Sequence, residues 1–281
     1  MKRQGALSLH GPVFWICVGT LLILRIPLQS WMEYARPATA AWIEPLAEVG
    51  TYVLILFLIG WERESLARFN VNALAVWLVV LGKPLSLMVL PLMGQKPTPF
   101  EFPNALFWVF PLAACLLGLG IWKKRIVLPR LAPSEGVWFL AGASIGLLWF
   151  ALEGIVYIHW LNFPVPAYQG PLMLLAPVYQ MGYAAVPEEM VFRAFLWGGL
   201  RKIGVPAFWV LMIQSVLFTA AHIHLLRTPA PAVYLGSVFL TAVILGLLVW
   251  RSRRISTGMA CHAFGNGSQL FQYWINTLVF R

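Results

Sequence analysis

Nine apolar stretches follow one another through 281 residues, with short polar connections between them. A hydrocarbon core about 30 Å thick takes roughly 20 apolar residues per helix. Backbone groups in lipid must be satisfied within their own segment, which selects helices over open sheets. The stretches lie near 12–29, 46–61, 71–93, 103–122, 136–158, 172–200, 205–224, 231–250 and 255–277. They predict an all-α, polytopic transmembrane helix bundle of about nine spans. Charged residues make up 11% of the chain, against about 25% in a soluble domain, which points the same way.

The net charge of +10 would suggest a nucleic-acid partner in a soluble protein. Here the basic residues cluster in alternate loops instead. Lys2/Arg3, Arg63/Arg68, Lys123/Lys124/Arg125/Arg130, Arg201/Lys202 and Arg251/Arg253/Arg254 make thirteen, against Arg36, Lys96, Arg227 and Arg281 on the other side. That asymmetry predicts a cytoplasmic N-terminus and an outside C-terminus, with no nucleic acid bound. The apolar run after Lys2 and Arg3 resembles a signal peptide. Ala38-Thr39-Ala40 lies too far beyond it to serve as a cleavage site, so the run is expected to stay as the first span. Cys17, Cys115 and Cys261 sit singly in apolar segments and read as buried thiols. The basic, proline-containing loop at 123–135 is the expected boundary between an N-terminal four-helix part (1–135) and a C-terminal five-helix part (136–281). No internal repeat argues for an inverted-repeat transporter.

Three of the last four spans carry polar residues that lipid does not tolerate. The sixth holds Pro187-Glu188-Glu189 and Arg193. Glu189 and Arg193 are four apart, so they face each other on a helix and can pair, while Glu188 points about 100° away. Pro187 frees a carbonyl one turn back and is expected to kink the helix there. The seventh span carries Phe218 and His222 one turn apart, and the ninth carries His262 and Asn266 at the same spacing. Counted from the cytoplasmic ends of their spans, Glu188, His222 and His262 lie roughly 18, 25 and 10 Å deep, within reach of one another after tilt. A single buried histidine is commonly a packing residue, and a single Glu–Arg pair can be a structural lock. Two carboxylates, a guanidinium, two imidazoles and an amide on neighbouring spans are best accommodated in one shared polar cavity.

These clusters, in this order, resemble the CAAX-protease and bacteriocin-processing family of intramembrane glutamic endopeptidases. The family pattern is E-E-x-x-x-R, then F-x-x-x-H, then H-x-x-x-N. Glu188, Glu189 and Arg193, then Phe218 and His222, then His262 and Asn266 fill it. The resemblance covers roughly 136–281, and Ala194 departs from it where members often have glycine.

The resemblance implies an endopeptidase acting near the C-terminus, or in a membrane-anchored segment, of a protein or peptide substrate in the bilayer. Peptide hydrolysis needs an activated water, a proton donor for the leaving amine and stabilisation of the oxyanion. Glu188 is then the general base, His222 orients the water, Glu189 and Arg193 hold the helix face, and His262 and Asn266 face the oxyanion. No cofactor is expected. Glu and His also ligate zinc, but no H-E-x-x-H is present and the oxyanion donors suffice without a metal. Two other readings stand beside this one. The first is a non-catalytic membrane scaffold or immunity factor of the same fold. The second is an ion-coupled transporter with a relay drawing on Arg25, Lys83, Glu153 and His159. The location expected is a bacterial inner membrane, since no eukaryotic retrieval signal ends the chain.

Overall fold

The computed structural model describes residues 11–28, 31–32, 40–69, 71–92, 109–127, 133–161 and 176–279. Every regular element among them is a helix. α1 (Pro12–Ile23) runs into a π-helical turn at Leu24–Leu28. α2 (Ala40–Trp61), the short α3 (Arg63–Arg68), α4 (Ala73–Leu92), α5 (Val109–Trp122) and α6 (Pro133–Leu161) follow. α7 begins at Ala176–Gln180 and ends at Trp197–Lys202, with two π-helical stretches inside it, Met181–Ala185 and Met190–Leu196. α8 (Ala207–Ala220), a 3₁₀ turn (Ile223–Arg227), α9 (Pro231–Ser252) and α10 (Ile255–Val279) complete the chain.

Each of the nine expected stretches therefore holds a helix, and the tiny α3 sits between the second and third. Two segments, Pro133–Val156 and Pro231–Ser252, are long and apolar enough to cross a membrane. Pro12–Leu28, Leu46–Trp61, Ala73–Leu85 and Ala207–Ala220 are apolar but shorter among the described residues.

The distribution of side chains is reversed relative to a soluble domain. Leu140, Leu148 and Leu152 on α6, Phe208 and Trp209 on α8, and Leu240 and Trp250 on α9 are exposed, whereas Glu188, Glu189 and Arg193 are buried. Contiguous exposed apolar surface of this kind needs an apolar surrounding. Among the described residues one buried core runs from α1 to α9. Phe14, Leu21, Tyr52, Ile59 and Val80 from the first helices pack in the same core as Met190, Phe192, Phe195 and Phe218. The first helices thus rest directly on α7.

α6 and α10 approach most closely, and glycine makes this possible. A Cβ on Gly142 would lie 2.3 Å from the Thr257 carbonyl oxygen, and one on Gly146 would lie 2.1 Å from that of Cys261. One turn on, the relation inverts, and Gly265 of α10 receives the Phe150 ring of α6. A GxxxG stripe on one helix therefore meets small positions on the other at four-residue intervals, which is how helices associate where burial from water gives no driving force. This seam holds α10, and with it His262 and Asn266, against the bundle.

Pro187 is the second residue of the short α-helical segment Val186–Glu189, which follows the first π-helical stretch of α7. A proline ring crowds the carbonyl four residues back and offers no N–H to it. A π-helical turn widens the backbone at that point, and such bulges concentrate at functional sites. The expected disturbance at Pro187 is thus a widened turn on each side of the two glutamates.

Gly146→Leu is expected to lower the thermal midpoint of the detergent-solubilised protein by several degrees or prevent its folding. Overpacking costs about 1–3 kcal/mol where a neighbour can yield, and here the neighbour is backbone. Gly118→Ala, where a Cβ meets nothing within 4 Å, should leave the midpoint near the wild-type value, as read by differential scanning fluorimetry.

Candidate active site

Glu188 and Glu189 sit between the two π-helical stretches of α7, both buried. Their surroundings differ. Glu189 faces the bundle axis, where Arg193 Nη1 donates to its Oε1 at 3.0 Å, with both side chains fully buried. The i,i+4 pair anticipated from spacing is formed. Arg193 reaches further, donating from Nη2 to the Ala242 carbonyl of α9 at 3.1 Å and lying 4.6 Å over the Phe218 ring of α8. The same Ala242 oxygen also accepts from Gln214 Nε2 at 3.2 Å. One guanidinium therefore links α7, α8 and α9.

His262 of α10 bridges the two carboxylates. Its Nδ1 lies 3.1 Å from Glu189 Oε1 and its Nε2 3.7 Å from Glu188 Oε2. With an ionised carboxylate at Glu189, Nδ1 is the donor, which leaves Nε2 turned to Glu188. The gap at Nε2 is too long for a direct hydrogen bond and suits a small bridging group.

His222 differs from expectation in one respect. It lies just beyond α8, which ends at Ala220, and not within a continuous helix. The last carbonyls of a helix have no intrahelical partner, and the imidazole supplies one: Nδ1 is 2.8 Å from the Phe218 oxygen. A carbonyl only accepts, so the ring donates Nδ1–H and neutral His222 presents Nε2 as a bare lone pair. Both histidines are thereby held with Nδ1 occupied and Nε2 available.

Phe218 explains the aromatic of the second motif. Its ring packs at 4.8 Å on His222, edge-on at 5.9 Å to His262 and at 5.2 Å to Phe192. It sets the spacing of the two imidazoles while Arg193 covers it. Asn266, one turn beyond His262 on α10, has its amide nitrogen 3.4 Å from Gln180 Oε1 of α7.

Of the six residues singled out from the sequence, Glu188, Glu189, Arg193 and His262 are in direct contact. His222 joins them through Phe218, and Asn266 adjoins along α10. Two contributors were not anticipated for this site. Arg25, in the π-helical turn after α1, donates from Nη2 to Glu188 Oε1 at 2.6 Å. Gly258 of α10 leaves room for Glu189, since a Cβ there would lie 2.7 Å from its Oε2. The sequence signal for Arg25 is the presence of Arg25, Lys83 and Arg193 inside apolar stretches, which requires buried anions to match them. Lys83 finds its own partner in Glu48, at 2.8 Å, with its ammonium 4.2 Å from the Tyr183 ring centre. Among the described residues, no three His, Cys, Asp or Glu side chains converge in the way a metal ion would require.

Residues 169–268 match the family of type II CAAX prenyl endopeptidases, Rce1-like, in agreement with the resemblance carried by the three motifs. The match takes in every residue from Glu188 to Asn266 and leaves out the first six helices. No curated protein and no solved structure matches the chain.

Arg193→Ala is expected to destabilise the protein severely, because losing one partner of a buried ion pair costs about 3–5 kcal/mol. Gly258→Ala should lower the midpoint less while displacing Glu189. Thermal unfolding in one detergent ranks the two.

Proposed function

We propose that this chain, whose residues 169–268 are those of the Rce1-like CAAX prenyl endopeptidase family, is an intramembrane endopeptidase that uses glutamate-activated water. The observation that carries the reading is the contrast between its adjacent carboxylates. Glu189 is engaged by Arg193 and His262. Glu188 is tied at one oxygen only, by Arg25, and its other oxygen faces His262 across 3.7 Å.

In this reading Glu188 Oε2 takes a proton from water as the water oxygen bonds to the carbonyl carbon of the scissile peptide. His222 Nε2, a lone pair in its neutral tautomer, accepts the second hydrogen of that water and orients it. The carbonyl π-electrons move to oxygen, and the oxyanion is met by the Asn266 amide and by His262 when its Nε2 carries a proton. As the oxyanion re-forms its carbonyl and the C–N bond breaks, Glu188 returns its proton to the leaving amine nitrogen, yielding an amine and a carboxylic acid that then loses its proton to water. Glu189 and Arg193 stay paired throughout and keep His262 in register.

The reading needs no metal. Each carboxylate already has a guanidinium against it, in the place where a metal ligand set would want a cation. The substrate class it implies is a membrane-anchored protein or peptide, since the carboxylates lie among helices whose outer faces are apolar. The thirteen-to-four bias of basic residues supports nine spans with the N-terminus in the cytoplasm.

The test is cleavage of a panel of membrane-anchored peptides by purified protein in nanodiscs, read by mass spectrometry. Glu188→Gln should abolish cleavage, and His222→Asn should lower kcat by about 10²–10⁴, the usual contribution of a positioned acid–base group. Asn266→Ala should cost about 10²–10³, the scale of one oxyanion donor. Activity should survive exhaustive treatment with a chelator. A Glu188→Gln protein that cleaves as fast as wild type would overturn the mechanism, and it would favour a scaffold role for the same fold.

A further inference from the structure

We propose that Arg25 is a positioning residue of the active site, so that the first helix completes a catalytic centre whose family segment begins only at residue 169. The inference rests on the reading of Glu188 as the base.

Arg25 Nη2 lies 2.6 Å from Glu188 Oε1, the shortest of the ion pairs around the two glutamates. Both side chains are nearly buried, at 14% and 11% exposure, so water does not screen the contact. Glu188 has two oxygens and one must be free to act. Holding Oε1 on a guanidinium turns Oε2 to the His262 side. The contact also supplies Glu188 with a countercharge of its own, because Arg193 is spent on Glu189, Ala242 and the Phe218 ring.

The neighbourhood shows that this cation is not interchangeable with another. Around Glu188 stand Arg25 from the turn after α1, Tyr183, Glu189 and Arg193 from its own helix, His222 beyond α8 and His262 of α10. Glu48 and Tyr52 of α2 also lie near Arg25. Arg193 is committed to Glu189, and Lys83 of α4 is bound to Glu48 and lies against the rings of Tyr52 and Tyr183. Removing Arg25 therefore leaves Glu188 with no free cation to replace it among the described residues.

The π-helical turn at Leu24–Leu28 fixes where the guanidinium arrives. Pro27 lies inside it, and a proline within a helix displaces the backbone from the regular path. α1 is held in register by Phe14 and Trp15, which close on Gly199 of α7, where a Cβ would lie within 2.9–3.2 Å of their rings. The arginine thus projects from a helix anchored to the one that carries Glu188.

A planar guanidinium and an ammonium both carry charge, but only the former presents a rigid fork. Arg25→Gln is expected to lower kcat for a membrane-anchored peptide about 30-fold or more, with KM changed less than about threefold, the pattern of an interaction that acts on the chemical step. Arg25→Lys should recover a substantial part of that loss. A thermal-unfolding cycle over Arg25→Gln, Glu188→Gln and the double variant should be non-additive, the double variant being more stable than the sum of the single effects implies. An additive cycle overturns the contact. A coupled cycle with unchanged kcat, or with KM alone raised, overturns the positioning role and makes Arg25 structural or substrate-binding. If wild type cleaves nothing in the panel, the proteolytic reading falls, and the cycle still decides whether Arg25 holds Glu188.

Discussion

The buried pair between Arg193 and Glu189 is the contact on which the rest of the site depends. Both side chains are fully enclosed, where an unpartnered charge costs several kcal/mol even after relaxation. Four helices contribute the contacts around the pair. The glutamate and arginine share α7, the Ala242 carbonyl comes from α9, the Phe218 ring from α8 and the His262 imidazole from α10. Disturbing any of these helices would expose or strand a charge. The pair therefore acts as the lock that makes one arrangement of these helices strongly preferred.

Close approach of backbones makes that arrangement possible. Gly142 and Gly146 bring α6 onto α10, and Gly258 lets Glu189 lie against α10 without a side chain between them. In water such glycines would be poor helix residues, at about 1 kcal/mol each relative to alanine. In an apolar surrounding they exchange propensity for dispersion contact along a whole helix seam. The polar centre and the glycine seam are thus two parts of one solution. Charges must be enclosed, and enclosure requires helices to touch.

Much of this was legible in the sequence, and the limits have physical causes. Nine apolar stretches became helices because backbone satisfaction leaves no alternative. Glu189 and Arg193 were readable as partners because their spacing alone brings them together. Arg25 was not readable as a partner of Glu188, since 163 residues separate them and only tertiary packing makes them neighbours. His222 was expected inside a helix, because spacing does not reveal where a helix stops. At the stop its own ring caps the Phe218 carbonyl. The π-helical stretches flanking the glutamates were foreshadowed only by Pro187. The GxxxG of α6 takes its meaning from the small positions that face it on α10.

Two identical side chains at consecutive positions can do different work because their environments diverge by a single helical step. Glu189 Oε1 accepts from a guanidinium, lies 3.1 Å from the His262 imidazole Nδ1 and is fully enclosed. Glu188, rotated about 100° around the helix, retains 11% side-chain exposure and keeps one oxygen out of direct hydrogen-bond contact with His262. In the proposed mechanism it is this carboxylate that gains and loses a proton. Each glutamate has a separate cation, Arg193 from α7 itself for Glu189 and Arg25, delivered by the first helix, for Glu188. A site confined to the last four helices would contain only the first of these cations.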